Sequence, residues 1–213
     1  MENVVLVHGL WMNGTEFKWM DHRLCHWGYR TWMFQYPTVR RGLEENAAAL
    51  WAFLQGQFGP GLNGIPPGTL HLVCHSLGGL VALRMLETHP EAPFGRMVAL
   101  GCPFQGSISA QRLARWPLGA RLLGGSMARA LDGTRPARLP EGRQAGVIAG
   151  TLPVGWSHML WNLEKPNDGV VTVAESHLPG AAHATLPVMH VGLVFSRRAA
   201  LMARRFLLLG ELT

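Results

Sequence analysis

The segment 72–80, LVCHSLGGL, sets a serine between an apolar run and a pair of glycines. A run of strand character enters Ser76 and a helical stretch leaves it. A nucleophile elbow is built this way: a sharp strand-to-helix turn projects the serine hydroxyl beyond the end of a sheet. Strand and helix pass closely at such a turn, so small residues are needed two before and two after the serine. Gly78 meets that need, and Cys74 stands where glycine is usual. The competing reading is a plain helix start with Ser76 as its cap. A serine hydroxyl is a weak nucleophile unaided. It needs a base to take its proton and an acid to orient that base. The chain has 10 histidines, and seven acids, Glu87, Glu91, Asp132, Glu141, Glu164, Asp168 and Glu175, lie between Ser76 and His190, the last of them. Cys25, Cys74 and Cys102 have no metal-site spacing, and this chemistry calls for no metal or organic cofactor.

These groups have to be positioned by elements that the pattern predicts in alternation. Strands are expected at 4–7, 30–36, 69–74, 96–101, 145–150 and 184–189, and helices at 15–27, 43–58, about 77–88 and about 196–209. A Gly/Pro-rich loop covers 59–68. Strands alternating with helices imply an α/β fold: a mostly parallel sheet of about six strands with helices on both faces. Chemistry in such sheets sits at the carboxyl ends of the strands. The 213 residues, 48% hydrophobic and only 15% charged, suit one domain over 1–213 with a sizeable core. The odd number of cysteines, the absence of a long apolar run and an N-terminus without a basic segment point to a reduced, cytoplasmic protein.

The chain resembles the α/β-hydrolase superfamily, and in particular its small bacterial lipases and esterases. The resemblance rests on VLVHGL at 5–10, CHSLGG at 74–79, NDGVV at 167–171 and HVGLVFS at 190–196, and spans nearly the whole chain. It implies the order serine, acid, histidine. His8, His22, His26 and His71 precede Ser76, His75 adjoins it, and His89 ends the following helix. Of those remaining, His190 follows the expected last strand and precedes the last helix, which makes it the general base. His183 is the runner-up. Asp168, in a turn after the fifth strand, is the best-placed acid, with Glu164 and Glu175 as fallbacks; its alternative role is that of an ordinary Asn-Asp-Gly turn residue. The resemblance further implies oxyanion donors at the backbone N–H groups of Leu10 and Leu77. Trp11, Met12 and Phe104 are the expected substrate-binding residues. His8 is read as a brace for its loop. An aspartate at the elbow is typical of dehalogenases, so Ser76 argues against that chemistry; hydroxynitrile chemistry stays open.

The stretch 103–143 separates two strands and has its own apolar content, Leu118, Leu122, Leu123, Met127 and Leu131 falling close to helical spacing. It is expected to be a helical cap over the site. It carries Arg112, Arg115, Arg121, Arg129, Arg135, Arg138 and Arg143 against Asp132 and Glu141. Two readings compete: a cap that settles on an anionic membrane with its arginines outward, or a solvated cap in a chain whose basic residues are nearly all arginine. The formal net charge of +6 invites a nucleic-acid reading, but no nucleic-acid-binding motif accompanies it. The favoured function is hydrolysis of a small-molecule ester or lipid-like substrate with an apolar acyl group. Acyl transfer and thioester hydrolysis would use the same residues, and a binding module that kept the fold is the reading outside enzymes.

Overall fold

The computed structural model describes residues 1–124, 131 and 137–213. Among these, β1 (Asn3–Val7), β2 (Arg30–Phe34), β3 (Leu70–His75), β4 (Phe94–Leu100), β5 (Gln144–Gly150) and β6 (Ala182–Leu186) form one sheet in the order β2-β1-β3-β4-β5-β6. Every neighbouring pair is parallel. Parallel strands need covering on both faces, and two adjacent inner strands show it: every residue of β1 and β3 is buried. One face carries Val5, Val7, Leu72 and Cys74 under the helices α2 (Leu43–Phe58) and α3 (Leu77–Thr88). The other carries Val4, Leu6 and Val73 under α1 (Lys18–His26) and the last helix (Arg197–Leu209).

The register brings the strand ends level. Val7 lies beside Cys74, His75 beside Leu100, Leu100 beside Ile148 and Gly150 beside Leu186. Residues that leave the strands at this edge therefore share one end of the sheet. The chain also reverses direction across the sheet between β1 and β3, which opens a crevice beyond their carboxyl ends.

Several elements depart from expectation. The strand expected at 30–36 stops at Phe34. The first helix begins as a 3-10 turn, Thr15–Phe17. The last strand is Ala182–Leu186, earlier than the expected 184–189, because Pro187 has no N–H for the ladder. His190 thus sits in a loop beyond β6, and His183 lies inside the strand. Between 103 and 124 the chain forms α4 (Ile108–Ala114) and α5 (Gly119–Leu123), divided around Pro117. Leu123 and Leu131 are buried, whereas Leu118 and Leu122 are 64% and 53% exposed, so the expected apolar stripe does not pack as one face. Met127, Arg129, Asp132 and Arg135 of the expected cap lie outside the described residues. A further helix, α6 (Trp156–Trp161), follows β5 without having been expected. The final helical stretch is broken at Ser196 into α7 (Gly192–Phe195) and α8 (Arg197–Leu209). The Ser196 side chain accepts the Ala199 N–H and starts α8 as its N-cap.

Candidate active site

Ser76 joins β3 directly to α3 with φ +53° and ψ −124°, a conformation that non-glycine residues rarely adopt. The close passage that imposes the turn is visible at Gly78, where a Cβ would stand 2.2 Å from the Val7 carbonyl oxygen and 2.6 Å from that of His8. No side chain fits there. Cys74, two residues before Ser76, needs no such space: its side chain points into the fully buried core, where burial pushes the thiol pKa well above its ordinary value. The elbow thus tolerates cysteine on the strand side and requires glycine on the helix side.

Asp168 and His190 meet in the loops beyond β5 and β6. His190 Nδ1 lies 2.7 Å from Asp168 Oδ2, and both side chains are buried. The His190 N–H also donates to the Asp168 carbonyl at 2.9 Å. The other carboxylate oxygen, Oδ1, accepts the N–H groups of Val170 and Val171 at 3.0 and 2.8 Å. Both readings of Asp168 therefore hold together geometrically: one oxygen closes the Asn-Asp-Gly turn and the other faces the imidazole. Asn167 fixes the turn from below, donating to the Leu163 and Glu164 carbonyls.

The fallbacks lie elsewhere. Glu175 is buried, its carboxylate accepting the N–H of Ile108 at the start of α4 (2.5 Å) and of Thr172 (2.6 Å). Burial raises its pKa against the pull of those donors. It ties α4 to the turn after Asp168. Glu164 is exposed. His183 stacks on His177, and its Nε2 lies 3.0 Å from the Leu178 carbonyl oxygen.

The loop after β1 forms the facing wall. Among the described residues neither the Leu10 nor the Leu77 N–H has a protein partner, and both residues border the same cavity as Ser76 and His190. His8 is fully buried. Its Nδ1 lies 3.0 Å from the Gly9 carbonyl oxygen, its Nε2 accepts the Tyr36 N–H at 3.3 Å, and its ring stacks on Tyr36 at 4.4 Å. Burial lowers its pKa, and the bond to Gly9 partly opposes that. These contacts are those of a brace. Tyr36 adds a bond from its hydroxyl to the His8 carbonyl at 2.7 Å. Trp11 has φ +60°; its N–H donates to Thr38 Oγ1 at 3.1 Å and its indole N–H to the Leu122 carbonyl of the cap at 2.9 Å.

The cavity is about 360 Å³. Trp11 and Met12 line it, together with Leu123 from the stretch read as a cap and with Val154, Trp156 and Val171, which the sequence did not single out as substrate-binding residues. Phe104 does not border it. Only 1% exposed, Phe104 packs into the core beneath the elbow, its ring tip 3.2 Å from where a Gly79 Cβ would be. The expectation that Phe104 contacts substrate is corrected accordingly: the chain turns inward after Cys102, and its neighbour Pro103 borders the cavity instead.

The family model described as the alpha/beta hydrolase family matches residues 4–207. The chain belongs to the α/β hydrolase family. Solved structures agree on the fold. A mature lipase of Bacillus licheniformis superposes with a TM-score of 0.74 at 22% identity, covering 99% of this chain and 92% of that one. A phospholipase of Legionella pneumophila superposes with 0.72 at 14%, covering 96% and 58%. An esterase from a Rhodococcus species superposes with 0.64 at 16%, covering 98% and 90%. No curated protein matches by sequence. No helix among the described residues is long and apolar enough to cross a membrane.

Proposed function

We propose that this α/β hydrolase cleaves carboxylic esters with an apolar acyl group through an acyl-enzyme on Ser76. The observation that carries the reading is the buried 2.7 Å contact between Asp168 and His190, beside a cavity that His190 shares with a serine on a strained strand-to-helix turn. With Nδ1–H held by Asp168, the imidazole presents Nε2 as a base. Ser76 Oγ bonds to the ester carbonyl carbon as its proton passes to Nε2. The carbonyl electrons move onto oxygen, where the Leu10 and Leu77 N–H groups receive the charge; one such donor is worth about 3 kcal/mol. Collapse of the intermediate breaks the carbon–alkoxide bond, and the leaving oxygen takes the proton from Nε2. Water then repeats the sequence on the acyl-serine, returning Ser76 and the free acid. The acyl chain is received by Met12, Leu123, Val154 and Val171.

The lipase, esterase and phospholipase among the structural neighbours support this substrate class without setting its alcohol part. A second reading concerns where the substrate is met. Trp116, Leu118, Leu122, Met159 and Leu160 are all at least half exposed around the cap and α6, beside the exposed Arg115 and Arg121. An apolar surface edged with cations suits adsorption to an anionic lipid surface. Co-sedimentation with anionic but not zwitterionic vesicles is the expected result, and equal partition into both removes that reading.

The central test is an assay of p-nitrophenyl esters from acetate to palmitate. Wild type should release nitrophenol, and Ser76→Ala should lose on the order of 10⁶-fold in kcat. Equal activity of the two would show that Ser76 is not the nucleophile.

A further inference from the structure

His75, the residue before Ser76, is fully buried, yet no step of the reaction uses it. Its ring touches three parts of the site. Its Nε2 lies 3.3 Å from the carbonyl oxygen of His190, 115 positions away in the chain. Its ring centroid is 4.7 Å from that of His190, at 43° between planes. Its Nδ1 faces Gly9 in the loop after β1, where a Cβ would stand 3.2 Å from Nδ1 and 3.0 Å from Ser76 Cβ. The edge of Phe17 closes the remaining side, 6.4 Å between ring centroids.

The hydrogen-bond pattern settles the tautomer. A carbonyl oxygen can only accept, so the contact with His190 requires a proton on Nε2. Among the described residues Nδ1 has no partner, which suits the unprotonated nitrogen of a neutral ring. Burial and the neighbouring His190 both push the His75 pKa well below its ordinary value.

We propose that His75 is a positioning residue whose Nε2–H ties the main chain of His190 to the nucleophile turn. This rests on the reading of Ser76 as nucleophile and His190 as base. The His190 main chain is then held on both sides, its N–H by the Asp168 carbonyl and its carbonyl by His75 and by the Leu193 N–H at 3.3 Å. The ring can pivot toward Ser76 only within those anchors. The neutral state also matters: when His190 becomes cationic during the reaction, its nearest ring neighbour adds no like charge.

Two variants and one spectrum test this. His75→Phe keeps an aromatic ring and removes the donor; His75→Gln keeps an N–H close to the Nε2 position. His75→Phe should lower kcat roughly tenfold or more with KM within about twofold, and His75→Gln should recover most of the loss, because misplacement of a reacting group by a fraction of an ångström acts on the chemical step. In ¹⁵N-histidine spectra, wild-type His75 should appear as the neutral Nε2–H tautomer throughout pH 5–9, and His75→Phe should broaden or shift the downfield His190 Nδ1–H signal. The proposal is overturned by wild-type kcat in folded His75→Phe, or by a wild-type His75 that titrates or carries its proton on Nδ1. The spectrum needs only wild-type protein and decides the matter even where a variant does not fold. A Ser76→Ala enzyme that still turns over would instead remove the reading on which the proposal stands.

Discussion

Gly101 leaves β4 at φ +59°, and a methyl group on it would meet His190 Nδ1 and Asp168 Oδ2 at 3.1 Å each and Leu193 Cδ1 at 3.0 Å. Gly101→Ala therefore has two separable effects. Holding alanine in the left-handed region costs about 1–2 kcal/mol. The contacts are too short by a few tenths of an ångström, so the His190 ring and the carboxylate must yield by that much. Gly142 isolates the first effect: it has φ +75°, and a Cβ there meets nothing within 4 Å. Both alanine variants should lose about 1–2 kcal/mol, a fall of about 2–8 °C in Tm for a chain of this length. Only Gly101→Ala should lose activity. A displacement of 1 Å costs about 10²-fold, so a few tenths should lower kcat several-fold to about tenfold with little change in KM. Thermal melts and steady-state ester kinetics on the two variants make the comparison. Full kcat in a stable Gly101→Ala protein would mean that the Asp168–His190 contact has slack, and the argument from close packing would fail.

Phe104→Ala should remove about 3–5 kcal/mol from stability by leaving a cavity under the elbow, with KM for short esters unchanged; a large KM increase in a stable variant would return Phe104 to the substrate site. The pH dependence of stability follows from His75. Its folded-state pKa lies well below the ordinary 6.5, so the unfolded chain takes up a proton that the folded chain refuses. Its contribution is complete above pH 6.5 and declines as the pH falls from there toward the folded-state value, by up to about 1.4 kcal/mol per pH unit. The lowered pKa values of His8 and His71 act in the same direction. Urea unfolding between pH 7 and pH 5 should show a shallower slope for His75→Gln than for wild type, and parallel slopes would refute the assignment of a neutral His75.

The elements nearest the chemistry were legible because their signals are local. The turn at Ser76 is announced by an apolar run meeting Gly78 and Gly79. The helix at 43–58 runs as expected, its start held by the Glu45 side chain, which accepts the Gly42 N–H at 2.8 Å. The order of serine, acid and histidine implied by the resemblance, with the placement of each after an expected strand, put Asp168 and His190 ahead of Glu164, Glu175 and His183, and the fold brings the two together although 22 positions separate them. The sequence by itself therefore determined the alternation of elements, the strand-to-helix turn at Ser76 and the short list of candidate groups around it. Tertiary structure alone decided the rest. Tyr36 and Thr38 steady the loop of His8 and Trp11 from 28 and 27 positions away, respectively. His75 reaches His190 only because β3 lies at the centre of the sheet, and Phe104 turns inward because α3 passes close above it. An apolar residue beside a site reads alike whether it lines a cavity or fills a core. Which one occurs depends on strand order and register, and these are set by the burial of the whole sheet rather than by any segment of it.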